Sequence, residues 1–484
     1  MNRRWIALCF IALAQLMVAL DATIVSIALP AAQAALHTTD VERQWVITAY
    51  AMAFGGLLLL AGRIADIIGR RRAFLLGLLG FSAASALGGA APDFAVLVAA
   101  RALQGACAAV LTPTALSLLA VSFTEPKERA TAFAVYGSIA GSGAAIGLLL
   151  GGALTQFLNW RWCLFVNVPI SIIAIVGGRI LLPSLPAAPG KRILDAPGAI
   201  LITGVLVSAV YAFNEAALHG WSSATVLALL LGAGVLLVAF AVRESTSRAP
   251  LLPPQIVLNR NRAGADLAVL CAIVGMFGAF LFITYYLQVV RGFSPLLTGV
   301  SFLPITVASQ LGSWLIARRL MPRVRPRTLM APGLLVAAAG MALLTQLSTD
   351  SAYWTTVLPA ELLLGFGISC AMVPAYSTAT IGVDQRQAGV AAAVITASQQ
   401  IGASIGIALL NTVAAGATVS VLAPSGVVTT ASRAAALVHG YSVACIWGAA
   451  ALAMGALVAG VLINAPSPRG AHAAAPSAEL STVR

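Results

Sequence analysis

Ionisable and amide side chains are scarce in this chain, so those that interrupt its apolar runs are the ones able to do chemistry. Asp21 stands in the middle of the run Trp5 to Leu29. A carboxylate in mid-helix costs about 2.5–3.5 kcal/mol on membrane-insertion scales, so it must face a polar interior and not lipid. Such a buried acid can take up and release a proton as water access alternates. The competing reading is a structural carboxylate satisfied by Thr23 or Ser26. Arg101 is the basic residue that falls within an apolar bundle, and with Gln104, Gly105 and Ala108 it forms an i, i+3, i+4, i+7 stripe. Arginine does not deprotonate in proteins, so its work is electrostatic: it pairs with a carboxylate and favours the charged form. An arginine snorkelling to the interface beside Asp93 is the alternative. Glu361, just after Pro359, is the candidate carboxylate of the C-terminal half, with an interfacial position as the other reading.

Three further patterns could move or seal a cavity. Leu60 to Arg72 is a short charged link between apolar runs. Gly62 lets helix ends approach, Asp66 can accept from backbone N–H groups or arginine, and Gly69 permits a tight turn. Arg70 to Arg72 suit helix carbonyl ends and anionic lipid heads. A topology-setting loop needs only the arginines; Gly62, Asp66 and Gly69 at fixed offsets point to a gating hinge. Gly143, Gly147 and Gly151 recur every four residues, followed by Gly152, the pattern of a close helix crossing that can also block ion leak. Thr396, Gln400 and Ser404 share one helical sector with Gly389, Ala393 and Asn411. A wet cavity wall and a polar seam between helices predict that same sector. With Gln104 they are the cavity-lining candidates.

Composition defines the class of protein. Sixty per cent hydrophobic and 9% charged residues, in runs of about 20, describe transmembrane helices. The net charge of +13 is not a nucleic-acid footprint, because the basic residues sit in alternate short loops and leave no continuous basic face. The six cysteines lie within apolar segments without CxxC spacing or histidine partners, which excludes a zinc site or disulfide framework. No nucleophile triad, phosphate-cradling loop or metal cluster is present, so no enzyme activity and no cofactor are expected. Asn2-Arg3-Arg4 before an apolar run imitates a signal peptide, but the run is too long and contains Asp21; it reads as a retained first span.

Apolar runs and their breakers give about 14 spans. An even count puts both termini on one side, and a cytoplasmic N-terminus leaves only Arg43, Arg161, Arg291 and Arg433 in outer loops. The basic run Arg318 to Arg327 lies between the tenth and eleventh spans as Gly62 to Arg72 lies between the second and third. Met321 and Val324 replace the acid and the glycine, as in a decayed repeat. The expected organisation is a six-helix bundle over 1–184, two extra spans over 185–250, a second six-helix bundle over 251–463 and a disordered cytoplasmic tail over 464–484.

As an ordered set these motifs resemble the fourteen-span multidrug–proton antiporters of the major facilitator superfamily. Leu20 to Pro30 is similar to their first-helix motif, Gly62 to Arg72 to the superfamily's loop motif, and Arg101 to Gly105 with Pro113 to the fourth-helix motif. Trp160-Arg161-Trp162 with Phe165, Asn167 and Pro169, and Tyr286 to Pro295, also match this branch. The resemblance implies an all-α major facilitator fold of two six-helix bundles plus two helices in the plasma (inner) membrane. It implies alternating access driven by a proton gradient, and export of amphipathic drugs or toxic organic compounds. Gly62 and Asp66 would then stabilise a closed state at the cytoplasmic face and Arg101 would join proton coupling; the residue reading adds Gly69 and Arg70 to the gate and Asp21 and Glu361 to the proton-coupling candidates. Partners are the substrate, protons and lipids, with a periplasmic adaptor protein left undetermined. A narrow-substrate transporter of the same fold, exporting a siderophore, peptide or natural product, is one alternative; uptake symport is another, because Gly147-Leu148 stands where the antiporter branch has Gly-Pro. A membrane sensor is less favoured, since no soluble domain carries a signal.

Overall fold

The computed structural model describes residues 3–39, 42–123, 125–182, 195–247, 258–321, 323–380, 388–422 and 429–465, and among these it is helical without a strand. The first helices are α1 (Arg3–Leu36), α2 (Trp45–Ile68), α3 (Arg70–Gly89), α4 (Phe94–Ser122) and α5 (Pro126–Phe157). They are followed by α6 (Trp162–Phe165), α7 (Asn167–Leu181), α8 (Ala196–His219) and α9 (Ala224–Thr246). Then come α10 (Arg260–Tyr285), α11 (Pro295–Ser301), α12 (Leu303–Leu315), α13 (Pro326–Leu343), α14 (Leu358–Thr380), α15 (Ala388–Leu422) and α16 (Thr430–Leu462). Twelve helical stretches among the described residues are long and apolar enough to cross a membrane. The chain is therefore a multi-pass membrane protein. The helices α2 and α5, of 24 and 32 residues, lie outside those twelve, so the fourteen-span count fits approximately.

Helix ends follow local chemistry. Asp93 caps α4 by accepting from Val96 N–H at 2.9 Å, and Ser294 caps α11 by accepting from Leu297 N–H at 3.3 Å. A reciprocal cap between Thr429 and Ser432 starts α16 well before its apolar run. Thr39 and Glu42 bond reciprocally at 2.9 and 3.2 Å and fix the 3₁₀ turn Glu42–Gln44, which turns Arg43 inward. Proline breaks the expected continuous spans. Pro169 cannot donate to the preceding turn, and the sixth span divides into α6 and α7; Pro304 lies where α11 gives way to α12. Single π-helical turns, Tyr286–Val290, Ile316–Leu320 and Tyr353–Val357, absorb further irregularity.

Gly69 joins α2 to α3 with φ 91° and ψ 133°, a conformation that L-residues rarely adopt. Gly69→Val is expected to cost about 1–3 kcal/mol and to lower the thermal unfolding midpoint in detergent. Gly62, by contrast, is not a close-approach glycine: among the described residues the nearest atom to a Cβ there is Pro113 Cβ, at 4.0 Å. The expectation of an unusually tight approach at Gly62 is corrected by that ordinary van der Waals spacing.

Packing distinguishes protein-facing from lipid-facing surfaces. The helix α1 lies against α5 and α7, α2 against α4, and α13 against both α14 and α16. Contacts between the earlier and later helices run through α2 with α15 and α5 with α11. The helix α9 rests on α8 and leaves Leu231, Val235, Val238 and Val242 exposed, as a lipid-facing surface does. Its last turn is tied back by Arg243, whose Nε donates to Asp195 at 3.1 Å while Asp195 caps α8 through Gly198 N–H. Two arginines of the connecting segments are committed as well. Arg161 Nη1 donates to the carbonyls of Gly89 and Ala91 at 3.1 and 2.5 Å, and Arg291 to that of Thr349 at 3.2 Å.

Candidate functional site

The central polar cluster is built by four helices and one backbone carbonyl of a fifth. Asp21, wholly buried in α1, accepts from Arg101 Nη1 of α4 at 2.6 Å through Oδ2. Its Oδ1 accepts from Gln104 Nε2 at 3.1 Å and from Asn167 Nδ2, at the start of α7, at 2.8 Å. Gln104 also donates to Ser85 of α3 at 2.7 Å and accepts from Arg101 at 2.8 Å. Arg101 Nε donates to the Val46 carbonyl of α2 at 2.9 Å, and its guanidinium carbon lies 4.4 Å from the centre of the Tyr50 ring. The pair is desolvated on both sides, with side-chain exposures of 2% and 0%. Buried charges persist only when their remaining hydrogen-bonding capacity is met. Here two amides, a carbonyl and an aromatic face supply most of it.

Several sequence expectations meet this geometry. Arg101 is inside the bundle and does not snorkel, and Asp21 pairs with it while Thr23 bonds to the backbone of Ala19 and Leu20. Gln104 does not line a cavity: it is fully buried, and its amide links Asp21, Ser85 and Arg101, which corrects that assignment. Gly105, one residue on, brings α4 against the Tyr50 carbonyl of α2. Asn167 and Ser85 complete the cluster. Neither stood out as a site residue, because neutral polar residues in membrane helices commonly satisfy themselves on their own backbone.

The glycines of α5 divide between two seams. A Cβ at Gly143, Gly147 or Gly151 would strike Ala19, Thr23 with Leu20, or Ile24 of α1, the turns on either side of Asp21. Gly152 faces the other way, where a Cβ would come within 2.6 Å of Pro295 O and 2.7 Å of Leu296 Cα in α11. A Cβ at Gly299 of α11 would in turn collide with the Leu148 carbonyl. Four glycines expected in one crossing thus serve two, because 100° per residue turns Gly152 away from Gly151.

At the end of the molecule that carries Arg43, side chains bridge the early and late helices. Arg43 is 3% exposed and donates to Gln33 Oε1 at 3.3 Å and to Asn411 Oδ1 of α15 at 3.4 Å. Its guanidinium carbon stacks 3.6 Å from the centre of the Tyr285 ring, and Tyr285 donates to Gln33 Oε1 at 2.8 Å. Gln288 donates to the Ile27 carbonyl at 3.1 Å. At the opposite end, Arg71 donates to the Arg179 carbonyl, and Arg4 pairs with Glu128 at 2.9 Å. Arg70 is partly buried there, while the side chain of Asp66 lies outside the described residues. On α15, Gln400 meets Gly55 of α2, where a Cβ would stand 2.9 Å from Gln400 Cβ; Thr396 is partly buried and Ser404 buried. Gln400 thus stands at a seam between helices. Glu361 is wholly buried at the start of α14, and it accepts from the Tyr353 hydroxyl, away from the Asp21 cluster.

The described helices and the buried ion pair between them define a polytopic membrane protein with a charged interior. The family follows from comparison. The model of the Major Facilitator Superfamily matches residues 11–407, and this chain belongs to that superfamily, which makes it a transporter and not an enzyme. It is 52% identical over 464 residues to the puromycin resistance protein of Streptomyces alboniger, covering 96% of this chain and 92% of that one. It is 37% identical over 409 residues to the cephamycin export protein of Amycolatopsis lactamdurans, covering 84% of each. It is 31% identical to a multidrug efflux pump of Mycolicibacterium smegmatis over 415 residues, covering 85% of this chain and 81% of that one. Among solved structures, a bacterial homologue of the human lysosomal transporter Spinster matches with a TM-score of 0.68 at 16% identity, covering 95% of this chain and 97% of that one.

Proposed function

We propose that this protein exports amphipathic, antibiotic-like organic compounds in exchange for protons, by alternating access. The observation that carries the reading is the Asp21–Arg101 pair: one titratable group, desolvated in mid-helix and held by three donors from two other helices. Protonation of Asp21 would release Arg101 and change how α1, α4 and α7 are held together. The resistance and export proteins among its relatives support the direction and the class of substrate. Their names also favour a second reading, a narrow exporter of one natural product.

In this reading the chain lies in the plasma membrane with both termini cytoplasmic, as the arginine distribution favours. Two six-helix bundles, 1–184 and 251–463, rock about a central site, with residues 185–250 between them. Asp66, Gly69 and Arg70 form the cytoplasmic gate. The cluster of Arg43, Gln33, Tyr285 and Asn411 closes the outer end. Arg43→Ala is then expected to speed reaction of an Ala32→Cys variant, at a buried position, with a membrane-impermeant maleimide added outside. The function itself is tested by expression in a host lacking its own pumps. Raised resistance to puromycin and to cationic dyes is expected; resistance to puromycin alone supports the narrow reading, and sensitivity to all contradicts both.

A further inference from the structure

A second buried carboxylate has a different construction. Glu361 is wholly buried, yet no basic residue faces it among the described residues. Among the described residues its Oε1 has no hydrogen-bond partner, and its Oε2 lies 3.2 Å from the hydroxyl of Tyr353. That same hydroxyl lies 2.6 Å from the carbonyl oxygen of Ser301. Ser301 is the last residue of α11, and a helix end leaves such carbonyls without an intrahelical donor. Tyr353 itself stands on the π-helical turn that precedes α14.

The groups around Glu361 leave Tyr353 as its titratable neighbour. The helices α12 and α15 carry no ionisable residue in their described sequences, and α13 carries only Arg327, at its far end. Where α13 and α12 meet α14 they present Gly340 and the Ile305 carbonyl. The tyrosines at the near end of α10 direct their hydroxyls elsewhere, Tyr285 to Gln33 and Tyr286 to the carbonyls of Ser348 and Ser351. Arg291 and Asp350 are engaged with Thr349.

We infer that Glu361 is a second proton-binding site, and that Tyr353 is a positioning residue that transmits its protonation state to the α11–α5 seam. A phenol has one O–H to donate. When Glu361 is protonated, its own O–H donates to the Tyr353 oxygen, and Tyr353 donates to Ser301. When the proton leaves to water, the carboxylate has no cation to answer it. The tyrosine O–H then turns to Oε2, a charge-assisted bond about twice as strong as a neutral one. Ser301 loses its donor. Two residues earlier, Gly299 backs onto the Leu148 carbonyl, and Pro295 and Leu296 onto Gly152. Loss of the Ser301 cap therefore loosens the seam that closes this end of the molecule. The order suits exchange: the proton-loaded state is closed outward and the proton-free state opens outward. This inference rests on the antiporter reading for its purpose, but not for its measurement.

The test is the distance between spin labels at Phe157→Cys and Leu297→Cys, both exposed positions flanking the seam, in a background with the native cysteines replaced. The full chain is measured in lipid nanodiscs from acidic to alkaline pH. The parent protein is expected to lengthen this distance as pH rises. Glu361→Gln should hold the short distance at every pH, and Tyr353→Phe the long one. Opposite, pH-independent endpoints are something a merely structural pair would not produce. A pH response that survives in either variant, or a shift of both in one direction, overturns the switch. Gradient-driven transport with a pH-insensitive distance refutes the switch alone. A pH-sensitive distance without gradient-driven transport refutes the antiporter reading alone.

Discussion

Asp21→Asn is expected to abolish proton-driven transport while the protein still inserts in the membrane. The amide nearly conserves shape and can still accept from Arg101, but it neither titrates nor carries charge. Arg101 is then a buried cation whose counter-charge is gone, and breaking a buried pair in this way costs about 3–5 kcal/mol. The thermal midpoint should fall with transport. The two effects separate because Arg101 retains the Val46 carbonyl, the Gln104 amide and the Tyr50 face, which keep it partly satisfied. Downhill drug exchange in the absence of a pH gradient should therefore outlast gradient-driven accumulation. Undiminished accumulation by the Asn variant excludes Asp21 as the essential coupling group.

Gly147→Leu should be nearly as damaging for a different reason. At this position even a methyl group meets Thr23 and comes within 2.9 Å of the Leu20 carbonyl, so α5 must lift away from α1. Forcing side-chain atoms into such a seam costs about 1–3 kcal/mol. Because Leu20 adjoins Asp21, the displacement also pulls the carboxylate from its donors. Little folded protein, or folded protein with transport lost, is expected by size-exclusion profile and uptake assay. Wild-type transport would show that the seam is not close-packed in the working protein. Leu148→Pro probes the same helix oppositely. Its side chain is fully buried, and proline removes one helix bond that neighbouring helices can accommodate. That variant should insert, stay active and transport in the same direction as wild type.

How much was legible in the sequence depends on the kind of signal. The membrane helices are written in the length of their apolar runs, because nothing else satisfies backbone groups in lipid. Asp21 and Arg101 were conspicuous because ionised groups are costly there, and a shared location is the simplest relief. Depth was not legible. Helical spacing placed Gln104 on a polar face without saying whether that face was wet, and the structure buries it against Asp21. Periodicity also merged Gly152 with Gly151 although they serve opposite neighbours. Arg43 looked like a solvated loop charge, because the Thr39–Glu42 cap that turns it inward is visible only as two ordinary loop residues. The Tyr353–Glu361 contact spans eight positions and depends on a π-helical turn, which no regular helical period encodes.

Exchange of a proton for an exported compound can be followed in proteoliposomes carrying a pH-sensitive dye inside. With an imposed pH gradient, addition of puromycin or ethidium should dissipate that gradient faster in wild-type vesicles than in Asp21→Asn vesicles. The compound should accumulate on the side the protons leave. Compound and protons moving in the same direction, or compound flux indifferent to the gradient, would contradict it.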